Sequence, residues 1–300
     1  MIRRRYGTLD FARGRSLRRI SAKMLYSIML GDVRRRWIGW VLAVVIVGAG
    51  AWCLHRWRRP LRLEDRVAAP MQGEPRTMLW AWETPEDLRG LDVSRAGVAF
   101  LAGELRVGAN VTVRPRMQPL LLPNGAWVMA VVRVEPTAEF ADSAALREKT
   151  ARAIIGLAAQ KGVRGVQVDF DATATQRDFY AAVLREVRRE LPQTMPLSMT
   201  ALVSWCGEGS WLRSLPVEEA VPMFFRMGGP ASERARRARS QNAVRAKVCA
   251  GSVGVSTDET WPAIGERQRV YVFRPGAWTK EEIARVNGAG YVGLEEVSSE

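Results

Sequence analysis

Two aspartates that alternate with apolar residues are the strongest candidates for chemistry in this sequence. Asp169 and Asp171 close the run GVQVDFD at residues 165–171. Residues two apart in a strand share a face, with Cα atoms about 6.6 Å apart, so both carboxylates are predicted to enter one pocket. Neighbouring carboxylates raise one another's proton affinity, which allows one to act as a general acid in glycosidic bond cleavage. In the structural alternative, Asp171 caps the next helix and Asp169 pairs with Arg133 or Arg226.

The scarcity of histidine excludes several other chemistries. The chain has one histidine, His55, beside an apolar segment and outside the predicted globular part. Ser-His-Asp and Cys-His nucleophiles and the common zinc sites all need imidazole. No glycine-rich phosphate loop follows a predicted strand, so nucleotide binding has little support. We predict no cofactor and no metal; an all-carboxylate site would suit calcium or magnesium, but no spacing requires either ion.

Short apolar runs alternate with helical stretches along the chain, and these elements must position the two aspartates. Several runs are apolar on both faces, as in parallel strands covered by helices. Capping residues predict helices that begin near Thr84, Ser143, Thr175 and Thr279. The predicted strands are residues 77–82, 97–101, 127–134, 165–170, 197–203, 220–225, 253–256 and 269–273.

Eight such strands predict an α/β fold, a (β/α)8 TIM-like barrel over residues 76–300. The alternative is an open doubly wound sheet. Residues 102–126, between the second and third strands, contain three prolines and little helical pattern. We therefore expect an irregular connection there, with an extra hairpin.

The carboxyl ends of barrel strands carry polar and aromatic residues, which is where this fold places its chemistry. We predict Asp171 and Asp169 as catalytic residues. Tryptophans near the mouth would stack on sugar rings, although a single tryptophan is more often packed in a core. Acidic residues would assist, and arginines would bind an anionic or polar substituent. The predicted substrate-binding residues are Trp82, Glu83, Arg133, Trp205, Arg226 and Asp258.

Positive charge is concentrated at the N-terminus. Residues 1–66 carry 16 Arg and Lys against 4 Asp and Glu, of 45 and 31 in the whole chain. The remainder is therefore nearly neutral, and a basic groove for nucleic acid is not predicted.

An uncharged run, Trp37–Leu54, lies between arginine clusters at residues 34–36 and 56–59. Its length corresponds to about 27 Å of helix, enough to cross a bilayer core. We predict a basic segment 1–36, a single transmembrane helix 37–54 in the inner membrane and a linker 55–75. Arginine asymmetry favours a C-terminal domain in the periplasm. A cleaved export signal is the alternative, and it too places the domain outside the cytoplasm.

Cys206 and Cys249 are the two cysteines of the predicted domain. An oxidising compartment would allow them to form a disulfide; two buried free thiols are the alternative.

Four motifs resemble a bacterial family known as domain of unknown function 3142. They are GVQVDFDATATQRDFY (165–180), LSMTALVSWC (197–206), EAVPMFFRMG (219–228) and GVSTDE (254–259). The run at 165–171 is also similar to the strand-four signature of chitinase-like glycoside hydrolases. That resemblance implies that Asp169 assists the substrate N-acetyl group and that Asp171 is the proton donor. This chain departs from the pattern at Gln167, at the shorter Asp171 and at Phe225-Arg226, where the family has Tyr-Asp.

The predicted function is that of a membrane-anchored, extracytoplasmic barrel that hydrolyses a saccharide through its paired aspartates. A pseudo-enzyme that binds a glycan or an envelope partner without cleaving it is the alternative. A scaffold that uses the outer surface of the barrel is a third.

Overall fold

The structure is a computed structural model, and it describes residues 71, 73–207, 211–226 and 244–294. These residues belong to the second of two compact units, Leu61–Glu300. None of the helices described there is long and apolar enough to cross a membrane. The predicted segments 1–36 and 37–54, and most of the linker 55–75, lie outside the described residues.

Eight parallel strands form a closed barrel. The described strands are β1 (Thr77–Ala81), β2 (Glu86–Asp87), β3 (Ala96–Val107), β4 (Val111–Pro115), β5 (Leu120–Leu121), β6 (Val128–Pro136), β7 (Val163–Asp169), β8 (Leu197–Leu202), β9 (Glu219–Met223), β10 (Ser252–Ser256) and β11 (Arg269–Phe273). Around the barrel the parallel strands follow the order β1, β3, β6, β7, β8, β9, β10 and β11, and pairing of β1 with both β3 and β11 closes the sheet. This confirms the predicted (β/α)8 architecture, and the alternative of an open doubly wound sheet was wrong.

The connection between the second and third barrel strands contains the expected hairpin. β3 continues well beyond the barrel wall and pairs antiparallel with β4, from Gly103 opposite Pro115 to Val107 opposite Val111. The helix predicted to begin at Thr84 was wrong. Thr84 Oγ1 donates to the Glu86 carboxylate (2.8 Å), which also accepts the Trp278 N–H (3.0 Å). The contact with Trp278 and the pairing with β5 are long-range, and they hold the stretch extended as β2.

Four described helices are α1 (Ala144–Ala158), α2 (Arg177–Glu190), α3 (Lys247–Ala250) and α4 (Lys280–Ala289). The Ser143 side chain accepts the Leu146 N–H at the start of α1, and Thr279 forms a capping box with Glu282 at the start of α4. Both starts follow the predicted signals, because each side chain satisfies a free N–H of the first turn.

The barrel strands separate two apolar layers. One lies between strands and helices and includes Val98, Ile154 and Leu184. The other fills the barrel interior, where Trp80 and Met129 pack together. Because successive side chains point to opposite faces, each strand supplies both layers. The interior is therefore a packed core, and polar side chains collect at its two ends.

An ion-pair network lies at the N-terminal end of the barrel. Arg269 Nη1 lies 3.0 Å from Glu219 Oε2, and its Nη2 lies 3.2 Å from Glu74 Oε2. Tyr271 also donates its hydroxyl to Glu219, and Arg269 donates to the carbonyl of Met71 (3.1 Å). These contacts attach residues before β1 to the interior of the barrel.

Candidate functional site

A row of charged residues crosses four strands at the C-terminal mouth of the barrel. Strand register places Arg114 opposite Glu104, Glu104 opposite Arg133, and Arg133 opposite Asp169. A bulge in β3 between Leu101 and Gly103 produces this row. The extra residue reverses the alternation, so Glu104 faces the mouth while its neighbours pack outward. Positive and negative charges therefore alternate along one wall of the mouth.

Asp169, the last residue of β7, is only partly open to solvent. Its Oδ1 accepts a hydrogen bond from Thr200 Oγ1 on the neighbouring strand (2.7 Å). Burial raises the pKa of Asp169 to about 6; the charge of Asp171 adds to this, while the Thr200 bond and the charge of Arg133 oppose it. Among the described residues, no arginine or lysine forms an ion pair with Asp169, so the predicted structural pairing with Arg133 or Arg226 was wrong.

Asp171 lies two residues beyond the end of β7, in a turn, so the regular strand alternation from which a shared face was predicted does not extend to it. The Ala172 N–H donates to the Phe170 carbonyl (2.8 Å), and this tight turn carries the exposed Asp171 at its centre. The turn forms because Phe170 and Ala172 are both buried beside it. Asp171 remains close enough for its charge to raise the pKa of Asp169. Thr173, rather than Asp171, supplies the cap that follows.

Trp82 and Arg133 lie together on the wall of the mouth. The Arg133 guanidinium carbon is 5.9 Å from the centroid of the Trp82 ring, within cation–π range. Trp82 meets Phe273 edge-on at 6.1 Å, and Phe273 stacks on Phe225 at 5.4 Å. All three rings are partly buried. Sequence analysis did not name Phe225 or Phe273 as site residues, although Phe273 shares the inward face of β11 with Tyr271.

Glu104 and Glu135 form a carboxyl pair beside Arg133. Burial raises the pKa of Glu104, and the charge of Glu135 and a hydrogen bond to it raise that pKa further. Glu135 also forms an ion pair with Arg133 (Nε to Oε1, 2.8 Å). The predicted second strand ended at Leu101, so sequence analysis missed Glu104. Only the extended β3 and its bulge reveal that Glu104 faces inward.

Arg226 and Asp258 meet at the ends of β9 and β10. Arg226 Nη2 lies 3.1 Å from Asp258 Oδ2, and the Arg226 N–H donates to Glu259 Oε1 (3.0 Å). Arg226 has a φ of 52°, a left-handed conformation that few residues other than glycine adopt. Glu83 is exposed in the turn after β1, and within the described residues no hydrogen bond or ion pair joins it to the other candidates. The structure thus forms two groups, one around Asp169 and one around Arg226.

Trp205 does not lie at the mouth, so its predicted role in substrate binding was wrong. It is 4% exposed, lies in a 3₁₀ turn directly after β8, and packs edge-on against Trp211 at 5.4 Å in the outer apolar layer. The turn rotates the tryptophan outward because a packed layer is available to bury the ring. Beside it, Cys206 and Cys249 form a disulfide, with Cα atoms 5.9 Å apart.

Gln167 lies one layer below Asp169 and is fully buried. Its Oε1 accepts the Trp80 indole N–H (2.9 Å), and its Nε2 donates to Ser198 Oγ (3.0 Å). Both ends of the amide are thus satisfied. An aspartate here would have no donor for Ser198, so the departure from the chitinase-like pattern has a structural reason. Among the described residues, no cluster of three or more Asp, Glu, His or Cys is placed to hold a metal ion.

Comparison with known proteins places the two aspartates inside a recognised domain. Residues 124–219 match the family model described as domain of unknown function DUF3142. The predicted resemblance is therefore confirmed over that segment, which runs from the turn before β6 to the first residue of β9. No curated protein matches the chain.

Three solved structures resemble the chain at low sequence identity. The Bacillus cereus spore cortex-lytic enzyme SleL is 17% identical, with a TM-score of 0.41 over 62% of this chain and 51% of that one. A "putative Chitinase A" from Streptomyces coelicolor is 10% identical (TM-score 0.47, 75% and 99%). A family GH18 chitinase from Chromobacterium violaceum is 11% identical (TM-score 0.45, 81% and 90%). The chain spans about half the length of SleL. The barrel assignment rests on the strand pairings of this chain.

Proposed function

We propose that the barrel mouth binds a saccharide and hydrolyses a glycosidic bond. The observation that carries this proposal is the state of the two aspartates. Asp169 and Asp171 lie at one strand end, and no ion pair with a described cation closes off either carboxylate. Glycosidic bond cleavage uses one carboxylic acid as the proton donor and a second carboxylate as its partner, and a pKa of about 6 leaves Asp169 mostly ionised at neutral pH, as the partner role requires.

In the proposed reaction, Asp171 gives its proton to the leaving glycosidic oxygen as the bond to the anomeric carbon breaks. A water molecule then adds to that carbon and returns a proton to Asp171. Asp169, held by Thr200, acts as the electrostatic partner and orients the substrate. Trp82 offers a partly exposed ring on which the apolar face of a sugar can stack. Arg226, Asp258, Glu83 and Arg133 supply polar groups for hydroxyl or charged substituents around the rim.

Binding without cleavage is a second candidate, favoured by the exposure of Asp171. A general acid commonly depends on burial to retain its proton near neutral pH. Asp171 lies in a turn open to solvent, and it is one methylene shorter than the glutamate of the chitinase-like pattern. Under this alternative the same residues would recognise the glycan, but no bond would break.

Incubation of the full-length protein with a panel of envelope and storage glycans tests both candidates. Hydrolysis predicts release of reducing ends by the wild type and a loss of about 10²- to 10⁴-fold in Asp171→Asn. Exposed Glu190 on α2 provides a matched control, because Glu190→Gln removes a distant carboxylate. Equal turnover by Asp171→Asn and wild type would exclude the proposed acid. Glycan binding without turnover in any variant would favour the second candidate, and neither binding nor turnover would exclude both.

We also propose that Trp37–Leu54 anchors the chain in the inner membrane, with the barrel in the periplasm. The support is the uncharged length of this segment, its flanking arginines, and a disulfide of the kind that persists outside the cytoplasm. Alkaline extraction of membranes should leave the protein in the pellet, and protease added to spheroplasts should digest the barrel. Release by alkali, or protection from protease, would contradict the anchor or its orientation respectively.

A further inference from the structure

The outer edge of β4 is an open strand edge. β4 is the last strand of the sheet in the described part of the chain, and no described strand pairs with its second edge. Four of its five residues are exposed. Among them Val113 is 44% exposed, although it lies opposite buried Leu105 in the strand register. An open edge with exposed β-branched residues is a template on which a further strand can pair.

The hydrogen bonds between β3 and β4 show which residues of β4 face that open edge. Just beyond the end of β4, the Arg116 N–H donates to the Ala102 carbonyl (3.0 Å). Bonded pairs in an antiparallel ladder recur at every second residue, so Arg114 and Thr112 also direct their backbone groups to β3. Pro115 lies between these bonded positions, where its missing N–H costs the ladder nothing.

Val111 and Val113 therefore direct their backbone groups away from β3. Each presents one N–H and one C=O at the open edge, and no described residue pairs with these groups. The opposite strand confirms the alternation at this end of the ladder. Val107, which lies opposite Val111, accepts the Thr137 N–H on its carbonyl (2.9 Å), so it faces β6 and not β4.

A second copy of β4 fits this edge in an antiparallel register with Thr112 opposite Thr112 of the other copy. Val111 of each copy then lies opposite Val113 of the other. Each such pair exchanges two hydrogen bonds, so four bonds pair all eight of the free groups. Valine meets valine on one face and threonine meets threonine on the other, which are favourable cross-strand pairs. Arg114 lies opposite Asn110, so no like charges meet.

The nearest alternative register is poorer. If Val113 lay opposite Val113 of the other copy, Val111 would lie opposite Pro115. Proline has no N–H for the Val111 carbonyl, which would stay unpaired in both copies. The edge is thus complementary to itself in one register, and Pro115 ends it at the length of β4.

We propose that the protein forms a two-fold dimer in which β4 of each copy pairs with β4 of the other, centred on Thr112. This inference goes beyond the proposed function and does not depend on it. Five-residue strands bury a small area, so the dimer is expected to be weak, with a Kd in the micromolar range.

Oxidative cross-linking of the full-length protein tests the register. Thr112→Cys places two cysteines in a non-hydrogen-bonded pair, with Cα atoms about 4.5 Å apart, which a disulfide can bridge. Arg114→Cys is the matched control on the same face, where the two Cα atoms are about 14 Å apart, too far for a bridge. Both variants also carry Cys53→Ser, since Cys206 and Cys249 already form a disulfide. Thr112→Cys should give a covalent dimer on a non-reducing gel, and Arg114→Cys should not.

Sedimentation of the full-length protein in detergent measures the association. The protein mass should rise with concentration toward that of two chains. Val113→Pro removes two of the four hydrogen bonds and should raise the Kd by about 10-fold or more. The Val113 N–H faces the open edge, so the variant should keep its fold, which circular dichroism checks. Val93→Ala, at an exposed valine in the turn before β3, should leave the Kd unchanged.

Three results would overturn the proposal. The first is a wild type that stays monomeric at every concentration. The second is absent cross-linking, or equal cross-linking of Thr112→Cys and Arg114→Cys, because the contact would then lie elsewhere or in another register. The third is undiminished cross-linking of Thr112→Cys after Val113→Pro is added. These readouts need no glycan, so their failure would leave the proposed hydrolysis untouched, and an inactive protein could still show the dimer.

Discussion

The two ends of the barrel use the same residue types in opposite ways. At the N-terminal end, buried Glu219 accepts hydrogen bonds from Arg269 (3.0 Å), Ser198 (3.1 Å) and Tyr271. At the mouth, Asp169 has one hydroxyl donor, and Asp171 is exposed in a turn. A carboxylate surrounded by fixed donors has no capacity for a ligand, so it holds structure. The carboxylates at the mouth keep acceptor positions that no described donor occupies, and this difference separates the structural end from the end that we propose to be functional.

Glu219→Ala should cost the most stability, up to about 5 kcal/mol, because it removes one of the two carboxylates that contact buried Arg269 and also the acceptor of Tyr271. Asp171→Ala at the mouth should change the free energy of unfolding by less than about 0.5 kcal/mol. Urea unfolding at pH 7 measures both. Similar costs at the two ends would break the distinction between them.

Glu74 makes the N-terminal end sensitive to pH. Burial raises the pKa of Glu74 to about 8, despite the opposing charge of Arg269. An acid with a raised folded-state pKa costs no stability below its unfolded pKa of 4.5, and the cost grows as pH rises to about 8. Glu74→Gln should therefore match the wild type at pH 4 and exceed it by about 4 kcal/mol at pH 9. Parallel stability curves for the two proteins between those pH values would contradict the buried acid.

The barrel strands could be predicted from sequence because parallel strands buried on both faces leave unbroken apolar runs. The interior network was not predictable from those runs. Gln167 and Glu219 interrupt them, and their partners lie on strands far along the chain. The capping signal at Thr84 predicted a helix wrongly for a similar reason. That signal is local, whereas the contacts of Glu86 with Trp278 and of β2 with β5 are long-range.

At the mouth, residue type and position predicted Asp169, Trp82 and Arg133 among the candidate site residues, and the structure places Arg133 beside both of the others. The same reasoning failed for Trp205, because a tryptophan after a strand can turn into the outer layer as easily as toward the mouth. It missed Glu104 because one bulged residue in β3 reverses the face of every residue that follows. Such shifts depend on strand pairing, which a local pattern does not encode.

Asp169→Asn tests whether the ionised Asp169 carboxylate lowers the free energy of unfolding. Because the folded-state pKa is raised from 3.8 to about 6, ionisation costs stability as pH rises through that range. After allowance for partial exposure, the variant should be about 2 kcal/mol more stable than the wild type at pH 8, and equal to it near pH 3. Activity or glycan binding should fall at the same time. If the stability gain of the variant over the wild type were no larger at pH 8 than at pH 3, Asp169 would belong with the structural carboxylates.

Arg226 has the clearest local backbone strain at the mouth. It is the one non-glycine residue with positive φ in the described part of the chain, and no such residue occurs in the N-terminal network. Arg226→Gly and Arg226→Ala both remove the exposed ion pair with Asp258, but only glycine removes the Cβ that the left-handed conformation disfavours. The glycine variant should be about 1 kcal/mol more stable than the alanine variant in urea unfolding. Both variants should weaken glycan binding equally if the strain serves to place the guanidinium at the rim. Equal stability of the two variants would mean that the backbone at Arg226 is not strained. The mouth would then differ from the N-terminal end of the barrel in its charges alone.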